Sequence, residues 1–144
     1  MEKVSKIRKL VLASLVGLLF GFSGAVKAES SLVKEAEDMV ELCRWAREAT
    51  EQKELVVFDF YSKQCGPCLF MSPIIESLAL EMKGRVRFFK VSADNEKFTP
   101  LWQALHITRL PWFVIRKDGL NSGEIVGARN KEDFQAEIIK FLGS

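Results

Sequence analysis

The sequence has a single histidine, His106, and three cysteines, Cys43, Cys65 and Cys68. That supply is too thin for the zinc site a close cysteine pair otherwise suggests. A second ligand pair would be needed, and neither Cys43 nor His106 stands at ligand spacing from another donor. No metal is expected. Also missing is any cluster of Lys or Arg interleaved with aromatic side chains, so nucleic acid is not expected as a partner. No internal repeat, low-complexity tract or second linker follows residue 30, which leaves one compact domain.

Long uncharged apolar runs are scarce too. One occurs, Leu10 to Phe22, LVLASLVGLLFGF. Lys3, Lys6, Arg8 and Lys9 precede it against a single Glu2, and SGAVKA follows, with Val26 and Ala28 at the positions a signal peptidase reads. This is the layout of a secretory signal cut after Ala28, giving a signal over 1–28 and a domain over 29–144. Export, to the periplasm, is the expected location. The alternative is an uncleaved inner-membrane anchor, for which Leu10 to Val26 is slightly short of the ~20 residues a spanning helix needs. The leader carries five of the 21 basic residues and one of the 19 acidic ones, so residues 29–144 have a formal charge of −2. The basic balance of the whole chain belongs to the leader.

The domain reads as alternating elements. Ser30 and Ser31 are expected to cap a helix with the stripe Leu32, Ala36, Met39, Cys43 and Ala46, which makes Cys43 a buried core residue. ELVVFDFY, residues 54–61, is nearly all apolar and reads as a strand buried on both faces. A helix from the CGPC stretch to about Lys83 follows, with Pro67 suited to its first turn and Pro73 further in. RVRFFKVSA, residues 85–93, is the next strand. A short helix over PLWQALHI comes after it, with Thr99 and Pro100 at its start. RLPWFVIRKDGLNSGEIVGA then reads as two strands joined by a turn holding Asp118, Gly119 and Asn121 to Gly123. Asn130 caps a last helix with the stripe Phe134, Ile138, Phe141 and Leu142. Trp45 and Trp102 are expected to pack on helix faces, and His106 to be structural or at the surface. The order α-β-α-β-α-β-β-α predicts an α/β fold with a mixed four-stranded sheet and helices on both faces.

YSKQCGPCLFMSP, residues 61–73, carries the chemistry. A strand ending directly in C-x-x-C at a helix start puts Cys65 at the helix N-terminus, where free backbone N–H groups and the positive dipole end favour a thiolate. Cys68 lies one turn deeper on the same face, within disulfide range. An exposed, acidic thiol beside a buried partner suits disulfide exchange, in which one sulfur attacks and the other resolves. Gly66 lets a partner chain approach and Pro67 stiffens the loop. A carboxylate inside VVFDF, Asp59, is costly to bury unless paired or functional.

QCGPC after VVFDFY, with Pro73 five residues on, resembles the active-site region of the thioredoxin family, and the resemblance covers residues 50–144. It implies a thioredoxin-like fold and a thiol–disulfide oxidoreductase acting on disulfide-bearing proteins, with no cofactor. It implies that Leu110-Pro111 is the family's cis-proline, holding substrate backbone beside the disulfide. Asp59 matches the buried aspartate that helps take the proton of the deeper cysteine, and Lys90 in FFKVSAD the lysine that pairs with it. Gly127, in IVGA, matches a glycine lining the substrate groove.

Three departures bear on specificity. Gln64 stands where the family usually has tryptophan, Leu69 where it commonly has a basic residue, and Trp112 where it typically has threonine after the proline. Trp112 is either a wall of the groove or sheet core. CGPC with an Asp59–Lys90 pair favours a reductant, fed outside the cytoplasm by a membrane thiol carrier and including among its possible roles the upkeep of haem-attachment cysteines in apocytochrome c. An oxidant or isomerase of the same fold, and a non-catalytic adaptor, are the other readings.

Overall fold

The computed structural model describes residues 31–143; the expected leader, its cut after Ala28 and the Ser30 cap lie outside them. The element order is β1 (Lys34–Glu35), α1 (Met39–Glu51), β2 (Leu55–Tyr61), α2 (Gly66–Glu81), β3 (Val86–Ser92), a 3-10 turn (Glu96–Phe98), α3 (Thr99–Ala104), β4 (Trp112–Lys117), β5 (Leu120–Val126) and α4 (Lys131–Leu142). The sheet runs β1-β3-β2-β4-β5. The first three strands in that order are parallel, and β2–β4 and β4–β5 are antiparallel. Among the described residues no helix is long and apolar enough to cross a membrane.

The sheet therefore has five strands where four were expected. The extra one, β1, lies in the stretch read as the start of the first helix. Val33 and Ala36 are buried, and the Ala36 N–H donates to Lys90 O at 3.0 Å, so this segment runs extended along the β3 edge. The helix starts only after Asp38, whose side chain accepts from the Glu41 N–H at 2.9 Å. Glu41 in turn accepts from the Glu37 N–H. These paired caps fix a later start and a different phase. Leu42, Trp45, Ala46 and Ala49 face inward, and Cys43 is exposed, correcting its expected place in the core.

Every residue of β2 is buried, because helices cover both faces of this central strand. Leu55 and Val57 pack with Met71, Ile75 and Leu78 of α2 and Phe134 and Ile138 of α4. Val56, Phe58 and Phe60 pack on the other face with α1 and with the turn and helix around Phe98 and Leu101. Trp45 stacks on Phe89, and Trp102 meets Phe60 edge-on, as expected of helix-face packing. Asn130 caps α4 by accepting from the Asp133 N–H.

The β4–β5 turn is narrower than expected. Only Asp118 and Gly119 form it, both at positive φ, which suits the twist of a two-residue hairpin. Asn121 to Gly123 belong to β5, opposite a register shift at Ile115/Arg116. Gly123 has a packing reason to lack a side chain, since a Cβ there would stand 2.5 Å from the Phe141 ring.

Candidate active site

One end of the sheet gathers the residues singled out in the sequence. β2 ends at Tyr61 and leads through residues 62–64 to Cys65 at the start of α2. Phe60 pairs with Trp112, and Trp112 with Val126, so Pro111 just before β4 and Gly127 just after β5 lie at this same end. The Gly127 N–H donates to Pro111 O at 2.9 Å, tying the two together. The Leu110–Pro111 peptide is cis, as the resemblance implied.

Cys65 and Cys68 form a disulfide, with Cα atoms 5.2 Å apart. Cys65 is the N-cap of α2, and its sulfur accepts from the Cys68 N–H at 3.2 Å. A free donor of the first helical turn thus points at this sulfur, where it would stabilise negative charge on a thiolate. Cys65 is half-buried, whereas Cys68 is 3% exposed. Of the two sulfurs, only that of Cys65 is within reach of an approaching partner, and Cys68 is enclosed behind it. Gly66 and Pro67 are exposed in the first turn, and nothing lies within 4 Å of the place a Gly66 Cβ would take. A partner chain has room to approach there.

The loop before Cys65 is held by Asp94, a residue the sequence did not single out. Asp94 accepts from Ser62 Oγ and the Lys63 N–H, each at 2.9 Å. Those two donors hold its carboxyl below the usual carboxylate range. No local signal marks it: the pairing spans 32 residues and exists only once β2 and β3 are adjacent.

Asp59 and Lys90 stand opposite each other on the adjacent parallel strands β2 and β3. Asp59 is 2% exposed, and its Oδ1 has no hydrogen-bond partner among the described residues. Burial pushes the carboxyl up from 3.8 to about 7, against the pull of the Lys90 ammonium. The expected Asp59–Lys90 pair is an electrostatic neighbourhood and not a contact ion pair. The ammonium instead donates to Ser72 Oγ at 2.9 Å and stands 4.3 Å from the centre of the Tyr61 ring. Ser72 and Tyr61 were not singled out either, though both carried a signal: Ser72 is four residues after Cys68 on a helix, and Tyr61 two after Asp59 on a strand.

Leu110 and Trp112 are half-buried and pack against the cluster on the α1/α3 face. The Trp112 Nε1 is buried and has no partner among the described residues. Gln64 and Leu69 are exposed beside the cysteines, and Phe70 next to Leu69 is 57% exposed, so the surface there is apolar where the family commonly carries a basic residue. 

A family model described as thioredoxin matches residues 38–140. Thioredoxin H-type 1 of Nicotiana tabacum is 35% identical over 117 residues, covering 81% of this chain and 89% of that protein. Thioredoxin H-type of Oryza sativa subsp. indica is 32% identical over 117 residues, covering 81% and 93%. Among solved structures, thioredoxin f from spinach chloroplast, in its short form, matches with a TM-score of 0.66 at 30% identity, covering 78% of this chain and 94% of that one. Thioredoxin NaTrxh from Nicotiana alata matches with a TM-score of 0.67 at 26% identity, covering 78% and 95%.

Proposed function

The chain belongs to the thioredoxin family and is a disulfide oxidoreductase acting on disulfide-bearing proteins; within that activity, we propose that it serves as a reductant outside the cytoplasm, through Cys65 and Cys68. The observation that carries the assignment of roles is the asymmetry of the pair. The Cys65 sulfur sits at a helix N-cap under the Cys68 N–H, and the Cys68 sulfur is enclosed behind it.

In the reducing direction the Cys65 thiolate attacks one sulfur of a substrate disulfide. A Cys65–substrate disulfide forms, and the other substrate sulfur leaves as a thiolate. Cys68 then gives its proton to the Asp59 carboxylate and attacks the Cys65 sulfur. The mixed disulfide breaks, the second substrate sulfur departs, and Cys65–Cys68 is left oxidised. Two electrons have passed from the cysteine pair to the substrate. Lys90 assists by favouring the charged form of Asp59. Gly66, Pro67, Leu110, Pro111, Trp112 and Gly127 form the substrate groove, where the two glycines keep the backbone accessible.

The leader-like segment over 1–28 supports a periplasmic location. A membrane thiol carrier is then the electron donor, since a cytoplasmic reductase does not reach that compartment. The CGPC motif and the buried Asp59 near Lys90 support the reducing direction over disulfide formation. Insulin reduction tests the assignment: turnover is expected in the native chain and none in Cys65→Ser. Equal turnover in both would remove Cys65 from the mechanism. The potential of the couple tests the direction, with a value near that of thioredoxin, about −270 mV, expected. A value near about −120 mV would make the protein an oxidant.

A further inference from the structure

The Lys90 ammonium is held by two groups that have no part in the chemistry above. It donates to Ser72 Oγ at 2.9 Å and lies 4.3 Å from the centre of the Tyr61 ring. None of the ion pairs among the described residues includes it. Both holders are themselves fixed. Ser72 sits on α2, one helical turn after Cys68. Tyr61 is 6% exposed and stands on the central strand β2 opposite Ser92 of β3.

The strand register explains why holding is needed. Lys90 stands opposite Glu35 of β1 on one side and opposite Asp59 of β2 on the other. One ammonium thus lies in a row between two carboxyl groups. Asp59 Oδ1 is a buried acceptor without a partner, the strongest competitor for that ammonium if it were released. The polar groups around Asp59 are Lys90 across the strand pair, Tyr61 of its own strand, Ser92 opposite Tyr61, Glu35 opposite Lys90, and Ser72 of α2 on the Lys90 ammonium. From β4, β5 and α4 this face receives apolar side chains.

We propose that Ser72 and Tyr61 are positioning residues, which keep the Lys90 ammonium beside the Asp59 carboxyl but off it, and so preserve the carboxylate's strength as the acceptor of the Cys68 proton. A lysine in direct contact would stabilise the carboxylate and weaken it as a base. A lysine lost to solvent would leave the carboxylate uncompensated. The hydroxyl and the ring hold an intermediate position. The inference rests on the reading of Asp59 as that proton acceptor.

The test is the pH dependence, from pH 5 to 9, of single-turnover insulin reduction by the prereduced protein at saturating insulin. In the native chain the rate is expected to rise with pH as Asp59 ionises. In Ser72→Ala the ammonium loses its hydroxyl partner and moves onto Asp59. The midpoint is then expected to fall by about one pH unit, and the plateau rate by about threefold. Ser72→Thr restores the hydroxyl and the native midpoint. Tyr61→Leu, which removes the ring, moves the midpoint in the same direction as Ser72→Ala. A Ser72→Ala midpoint that stays in place or rises, while Asp59→Asn abolishes the pH limb, overturns the inference and leaves the base assignment standing. A native pH limb that survives in Asp59→Asn overturns the base assignment, and the inference with it.

Discussion

Replacing Asp59 by Asn should make the oxidised protein more stable at pH 8 and leave its stability nearly unchanged at pH 3.5. Asp59 is 2% exposed with an unpartnered Oδ1, and burial raises its pKa from 3.8 to about 7. Because the folded value lies above the unfolded one, the native state binds more protons than the unfolded chain between those two pH values. Stability contributed by this site is therefore complete below about pH 4, declines as pH rises to about 7, and stays low above it. The displacement corresponds to about 4 kcal/mol, of the same order as a substantial share of a small domain's total stability. Asn is nearly isosteric and uncharged throughout, so it escapes the decline. Urea unfolding of the two oxidised proteins at pH 8 should show a higher midpoint for Asp59→Asn at an unchanged slope, and an advantage of about 2 to 4 kcal/mol. That advantage should shrink between pH 7 and pH 4. An Asn variant no more stable than the native chain at pH 8, or equally advantaged at pH 4 and pH 8, would refute the picture of a buried carboxylate that Lys90 compensates only in part.

Three further outcomes follow from particular contacts. Cys43 is the free thiol among the described residues and is exposed, so a thiol-reactive dye should label the oxidised protein once, and Cys43→Ser should abolish labelling without changing insulin turnover. Gly123→Ala drives a methyl group into the Phe141 ring, at 2.5 Å before relaxation, and should lower stability by about 1–3 kcal/mol in urea unfolding. Cys68→Ser should retain attack by Cys65 but lose resolution, so a covalent complex with a substrate protein should accumulate on non-reducing gels and dissolve on adding dithiothreitol.

Where the sequence was most regular it was also most readable. Leu55–Tyr61 is apolar on both faces apart from Asp59, and Cys65–Gly66–Pro67–Cys68 supplies a helix start and a redox pair in four residues, so the central strand and the site were legible together. The first helix was misread because Leu32, Ala36 and Met39 happen to fall at helical spacing. The capping pair Asp38 and Glu41 competes with that pattern and wins, and the changed phase is what turns Cys43 outward. A two-residue strand such as β1 leaves no periodicity to detect; it exists because β3 offers an open edge. The partners of Lys90 were hidden for a similar reason. Pairing with Asp59 is what the family resemblance implied, whereas a serine and a tyrosine ring compete only through the fold. Asp94 illustrates the same point at longer range, as a carboxylate whose purpose lies in a loop contributed by another strand.

The two borders of the sheet limit how this molecule can meet others. On one side β1 offers two residues, too few to template another chain. On the other, LNSGEIV of β5 is largely polar along its exposed positions and faces a register shift in its neighbour. Neither border invites lateral growth into fibres or strand-exchanged pairs. What these borders leave for a visiting chain is the sheet's end, where Cys65, Pro111 and Gly127 are gathered and no long strand edge is offered for pairing.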